Sequence, residues 1–232
     1  MAERKAVVLL SGGLDSAVAL GICRADGFIP YALTIDYGQR NRHEIEAARS
    51  IAQTMQVAEH IVLSVDLTQW GGSALTSDAP VPTGRSTDAM GADIPITYVP
   101  ARNTIMLSLA MAWAEVLGTG SVFIGAHTLD YSGYPDCRPE FFRAFETMAN
   151  LATRTGVEES TRFRVHTPLL DMTKTEIVRQ GTDLEVPLAL TISCYQPIQG
   201  MVACGRCDAC LIRRRAFAEA GIADPTEYAE AR

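Results

Sequence analysis

Short, unbroken apolar runs alternate along the chain with longer segments whose apolar residues recur every three or four positions. Residues 6–10 (AVVLL) form such a run, rich in β-branched side chains, and predict a strand buried on both faces. Residues 31–35, 61–65 and 121–126 read the same way, and 163–165 as a short fifth strand. Helical spacing covers 15–24, and 41–55 with Ile45, Ala48, Ile51, Ala52 and Met55 on one face. It returns at 102–117, ending at Gly118, at 139–151, and at 174–180, ending at Gly181. Strands alternating with helices imply βαβ units, hence a doubly wound parallel sheet covered on both faces, the α/β class. Ligands of such sheets bind beyond the carboxyl ends of the strands.

Two stretches break the rhythm. Most of a Gly/Pro/Ser/Thr-rich segment lies in 66–100; its length predicts an active-site flap, with a plain disordered insertion as the alternative. The other is a cysteine-rich tail. These divide the chain into a main ligand-binding domain over 1–186 and a small helical metal-binding segment over 187–232.

The chain has 232 residues, 47% apolar and 20% charged, enough to bury a large core without staples. Its net charge of −7 argues against a general nucleic-acid binder, because phosphate-dominated affinity needs clustered cations. Lys5 and Lys174 are the only lysines; arginine supplies the rest of the basic charge. No run of about twenty apolar residues predicts a membrane span. No signal-peptide pattern precedes the first strand, so a cytoplasmic location is expected. Clustered cysteines in that compartment read as metal ligands before disulfides.

Ser11-Gly12-Gly13-Leu14-Asp15-Ser16 follows the first strand and opens the first helix. Glycines let backbone amides approach an anion, the helix N-terminus adds partial positive charge, and Ser11 and Ser16 offer hydroxyls. The Gly-Lys-Ser/Thr ending of a Walker A loop is absent. Asp15 suits a Mg²⁺ ion held beside phosphates; an Asp at a helix N-cap is the plainer alternative. This loop resembles the pyrophosphate-loop signature of the adenine-nucleotide α-hydrolases, which split ATP to AMP and pyrophosphate and adenylate an oxygen of their substrate. The resemblance implies ATP contacts from Leu10, Ser11, Gly12, Gly13, Leu14, Asp15 and Ser16, and along the helix from Ala17, Val18, Ala19 and Leu20.

After the fourth strand comes DYSGYPDCR, residues 130–138. Tyr131 and Tyr134 can stack on a planar heterocycle. Asp130 and Asp136 can accept from ring N–H and amino groups, and Arg138 can pair a carboxylate. The string is similar to the substrate loop of the 7-cyano-7-deazaguanine synthases. Asp36-Tyr37-Gly38-Gln39-Arg40, Tyr98-Val99-Pro100-Ala101-Arg102-Asn103, and the run from Pro168 to Val178 agree with that family too. Leu14, Ala101 and His127 depart from it, where Gln, Gly and Asn are frequent.

The resemblance implies conversion of 7-carboxy-7-deazaguanine to 7-cyano-7-deazaguanine with ammonia and Mg·ATP. It assigns substrate contacts to Tyr37 and Gln39 as well as to the loop, and catalytic roles to Lys174, Arg102 and Asp130. Arg102, at a helix start, needs an anionic partner. Lys174 suits a compact charge on phosphate oxygens, or a surface pair with Glu176. His43, His127 and Asp130 stand as general-base candidates. A tRNA-modifying enzyme of the same superfamily and a regulatory ATP-binding domain are the rival readings.

Cys194-x9-Cys204-x2-Cys207-x2-Cys210 offers four thiolates at metal-ligand spacing. The family carries zinc on cysteines matching these four, a closed structural site; an iron–sulfur cluster is the rival. The resemblance also implies a homodimer, with small-molecule substrates and neither nucleic acid nor membrane as partner.

Overall fold

The computed structural model describes residues 3–85, 94–128, 133–158, 162–198 and 202–229. Asp130 and Tyr131 lie outside these. The strands are β1 (Lys5–Leu9), β2 (Ile29–Asp36), β3 (Glu59–Ser64), β4 (Ser121–Phe123) and β5 (Arg164–His166). The helices are α1 (Leu14–Ala25), α2 (His43–Thr54), α3 (Arg102–Val116), α4 (Pro139–Ala152), α5 (Arg154–Val157), α6 (Lys174–Asp183) and α7 (Asp208–Ala220).

All strand pairs are parallel, in the order β3-β2-β1-β4-β5. The chain winds outward from β1 to β3, then crosses back to β4 on the other side of β1. The reversal opens a crevice between the carboxyl ends of β1 and β4, where doubly wound sheets bind ligands.

The apolar run of β1 is unbroken because both of its faces are covered. Val7 and Leu9 point into one core with Leu33, Ile35, Val122, Leu107 of α3 and Phe142 of α4. Ala6, Val8 and Leu10 point into the other with α1, Ile51 of α2, Ile177 of α6 and Phe217 of α7. Period-two alternation thus supplies two cores from one strand. The cysteine-rich tail contributes to both: Cys194, Cys204, Cys207 and Cys210 to the first, Ala216 and Phe217 to the second.

Two boundaries differ from the sequence pattern by three residues, the others by less. β4 stops at Phe123, because the chain must then pass close to the start of α1: a Cβ on Gly125 would lie 2.7 Å from the Asp15 carbonyl carbon. Gly181 does not end α6, which runs on to Asp183. A Cβ there would meet Val18 at 2.8 Å, so this glycine serves close packing of α6 on α1. Within 66–100, Leu67, Leu75, Val81 and Val99 are buried and the Gly84 amide bonds to the Arg206 carbonyl, while Trp70, Ile94 and Ile96 are exposed.

Candidate functional site

The crevice deepens into a cavity of about 320 Å³, a size suited to a small-molecule ligand. Residues 11–16 form one end. Gly12 has φ +86°, and a Cβ there would lie 2.1 Å from the Glu44 carbonyl oxygen, so α2 seats directly on the loop. Ser16 Oγ accepts from the Ser11 amide at 3.1 Å and donates to the Gly13 carbonyl at 3.0 Å, closing the turn. Gly13, not Asp15, is the N-cap of α1, and no side chain caps it. The amides of Gly12, Leu14, Asp15 and Ser16 have no acceptor among the described residues. Four unsatisfied donors at a helix N-terminus fit phosphate oxygens.

Lys174 reaches this loop from the first turn of α6, its Nζ 2.5 Å from Asp15 Oδ1. The surface pair with Glu176 does not form. Glu176 instead completes a capping box with Thr173, which fixes the helix start and aims Lys174 inward. His127 Nε2 lies 3.6 Å from the same carboxylate. Burial pushes the Asp15 carboxyl up, but Lys174, His127 and Arg213 outweigh it and hold it below the usual carboxylate range. Asp15 therefore remains an anion, as a divalent cation beside phosphates requires.

The other end is assembled from distant segments. Arg102 donates to the Tyr37 hydroxyl at 3.1 Å and lies 5.7 Å from that ring's centre. Burial works against its charge, but Tyr37, Tyr134 and Asp136 overcome this and hold the guanidinium more firmly protonated than usual. Tyr134 shares a 3.0 Å hydrogen bond with Thr97. Gln39 is buried and accepts from the Tyr37 amide at 2.9 Å.

Several expected contacts lie elsewhere. Ala17, Val18, Ala19 and Leu20 are fully buried in the core beneath α1 and do not line the cavity. Asp136 turns away: its carboxylate accepts from the Asn103 amide at 3.0 Å, capping the first turn of α3. Arg138 is exposed at the N-cap of α4. His43 is exposed on α2.

Three cavity residues gave no signal in the sequence. Glu44 follows His43 on an ordinary polar helix face. Burial, only partly offset by Arg102, pushes its carboxyl up to about 7. Arg213 is buried, donating to Thr191 Oγ1 at 2.7 Å and Asp224 Oδ1 at 3.1 Å. Tyr195, beside Cys194, lines the same wall.

The sulfurs of Cys194, Cys204, Cys207 and Cys210 all lie within 4.8 Å of one another and are buried. Cys210 Sγ is 3.9 Å from that of Cys204 and 3.5 Å from that of Cys207. Thiolates at about 2.3 Å from a tetrahedral metal stand about 3.8 Å apart, so the cluster fits a metal ion. Backbone amides of Cys204 and Cys207 approach the Cys194 and Cys204 sulfurs at 3.3 and 3.4 Å, offsetting thiolate charge. The cluster touches the phosphate end through two ties: the Ile192 amide bonds to the Gly12 carbonyl at 3.0 Å, and Asn41 bonds to the Cys194 carbonyl at 2.9 Å.

A family model described as "Queuosine biosynthesis protein QueC" matches residues 5–221. The chain belongs to this family. A 7-cyano-7-deazaguanine synthase of Desulfatibacillum aliphaticivorans is 58% identical over 97% of both chains. One from Solidesulfovibrio magneticus is 58% identical over 98% of this chain and 97% of its own. One from Paramagnetospirillum magneticum is 56% identical over 97% and 99%. A crystal structure titled as a predicted subunit of tRNA methyltransferase, from Methanocaldococcus jannaschii, superposes with TM-score 0.50 at 16% identity, covering 99% of this chain and 94% of that one. That likeness concerns the fold alone. Membership of the QueC family makes this chain an enzyme of the synthase kind. No described helix is long and apolar enough to cross a membrane.

Proposed function

We propose that the chain is an ATP-dependent ligase that converts 7-carboxy-7-deazaguanine and ammonia into 7-cyano-7-deazaguanine, releasing AMP and pyrophosphate, in queuosine biosynthesis. The observation that carries this reading is one continuous cavity with two unlike ends. Unpartnered loop amides line one end, and an aromatic, arginine-bearing pocket lines the other.

A carboxylate is a poor electrophile and must be activated. Its oxygen attacks the α-phosphorus of ATP, and pyrophosphate leaves. The loop amides and Lys174 take up the charge that develops on phosphate oxygens. Arg102 pairs the substrate carboxylate, and Tyr37 and Tyr134 flank the ring, with Gln39 fixing the Tyr37 turn. Ammonia then displaces AMP and gives an amide. A second ATP adenylates the amide oxygen, and loss of AMP forms the nitrile. Asp15, kept anionic, would hold Mg²⁺, which supplies charge neutralisation at the phosphates.

The four cysteines would hold a structural Zn²⁺, closed to substrate, with 187–232 as its segment on the 1–186 ATP-binding domain. We place the enzyme in the cytoplasm, acting on small molecules rather than nucleic acid. We place it as a homodimer through α3, whose Val116 is 83% exposed and whose Ile105, Met111 and Trp113 are half-buried.

The test is mass spectrometry of zinc-loaded protein with Mg·ATP, ammonium and 7-carboxy-7-deazaguanine. Nitrile, AMP and pyrophosphate are expected. ATP turnover indifferent to the deazapurine acid would overturn the reading.

A further inference from the structure

The ligase reaction turns ammonia, whose nitrogen carries three hydrogens, into a nitrile nitrogen that carries none. One proton leaves as the ammonia adduct collapses to the amide and expels AMP. A second leaves the cation formed when the amide oxygen is adenylated. The third leaves as the nitrogen lone pair closes the last C–N bond and the C–O bond to AMP breaks. Loop amides, Lys174 and Arg102 supply positive charge, but none of them can accept a proton. The cavity therefore needs a base.

Most acidic groups around it are committed. Asp15 is gripped by Lys174 through both carboxylate oxygens, with His127 close by. Asp208 is buried and paired with Arg85. Glu44 differs. It lines the cavity from the first turn of α2, beside the phosphate loop on which its own carbonyl rests. Its carboxyl makes no hydrogen bond and no ion pair among the described residues. The groups that act on it are Arg102 of α3 and Tyr37 from the turn after β2. On α2 itself, neighbouring His43 faces solvent.

We propose that Glu44 is the base of this site, its carboxylate accepting N–H protons as the amide and then the nitrile form. This rests on the ligase reading. The surroundings suit that role, because a carboxyl raised to about 7 by burial can accept a proton near neutral pH and return it to solvent. Asp15, held low, cannot.

The test is Glu44→Gln in the full-length, zinc-loaded protein, with two readouts. One is pyrophosphate exchange into ATP driven by 7-carboxy-7-deazaguanine without ammonia, a step that moves no N–H proton. The other is amide and nitrile formation with ammonium, followed across pH. Product formation is expected to fall about 100-fold further than exchange, the range of a lost general base. At a fixed concentration of free ammonia the wild-type rate is expected to decline below about pH 7, and that decline should be absent from what remains in the variant. Product formation and a pH profile like the wild type would overturn the proposal. So would a parallel loss of exchange and product, which would make Glu44 a binding or folding residue. Absence of substrate-driven exchange in the wild type would instead sink the ligase reading, and the proposal with it.

Discussion

At the phosphate end of the cavity, Ser11, Gly13, Leu14, Asp15 and Ser16 are neighbours in the chain. At the other end, Tyr37, Glu44, Arg102, Tyr134, Tyr195 and Arg213 come from separate segments. The first end is mostly backbone: one turn after β1 presents amides, and a single glycine lets α2 sit on it. The second is mostly side chain, and its shape depends on α2, α3 and the cysteine segment all docking correctly. A local site tolerates distant change and fails at one residue. An assembled site fails gradually, through its supports.

Stripping the metal proposed for the cysteine cluster tests this contrast most severely. The cysteine cluster supports Tyr195 and Arg213 directly, and among the described residues it reaches the phosphate loop through the Ile192 amide on the Gly12 carbonyl and the charge of Arg213 near Asp15. Removal by a strong chelator is expected to lower the melting temperature by on the order of 10 °C, since four buried thiolates lose their common partner. ATP affinity should fall about tenfold, a modest coupling, while deazapurine binding falls further. Calorimetry and titration of both ligands before and after chelation measure this. Equal losses at the two ends would show that the phosphate loop is no more autonomous than its neighbour.

Gly12→Ala strikes the local end alone. The added methyl would sit 2.1 Å from the Glu44 carbonyl, on a backbone already at φ +86°. Either the loop or α2 must move, at about 3 kcal/mol or more. Chemical denaturation should show that loss together with abolished ATP binding. Lys174→Ala comes next, with a fall of about 10²–10³-fold in kcat/KM. It also weakens the hold on Asp15. In the wild type that carboxyl is held below its unfolded value, so its contribution to stability is present above the usual carboxylate range and lost as pH falls through the folded value. Without Lys174 the largest lowering influence is gone, so the carboxyl rises and the stability gained between about pH 4 and about pH 7 should shrink. Denaturation of both proteins at about pH 4 and about pH 7 measures that difference.

The same contrast explains what the sequence could convey. Residues 11–16 are a local pattern, and their position after an apolar run was enough to place them at a strand's carboxyl end. The four cysteines likewise carry their geometry in their spacing. The assembled end was legible only in parts. Asp136 has the chemistry of a substrate acceptor, but the start of α3 offers it unsatisfied amides nearer by. Glu44 occupies a polar position of an amphipathic helix, where spacing cannot tell solvent from cavity. Arg213 stands in a run of three arginines that resembles a solvated face, yet it is 2% exposed. Gly181 signals a helix end by type, while its neighbours Val18 and Leu188 make it a contact point. In each case the deciding partner is far away in sequence.

Ala101 offers the smallest and most local adjustment of the assembled end. It is the N-cap of α3, directly before Arg102, and holds φ 54°, a left-handed conformation that disfavours a side chain. A glycine at this position has no such cost. Ala101→Gly should therefore stabilise the protein by about 1 kcal/mol, even though glycine loses more entropy on folding. The Ala101 amide donates to the Tyr98 hydroxyl oxygen at 3.1 Å, a bond that the substitution keeps. If strain at this cap aims Arg102 into the cavity, the stabilised variant will bind the deazapurine acid more weakly. If Tyr37 and Asp136 alone hold Arg102, affinity will be unchanged while stability rises. Chemical denaturation paired with calorimetric titration decides between them, and the second result is expected, because Arg102 keeps its bond to Tyr37 whatever precedes it.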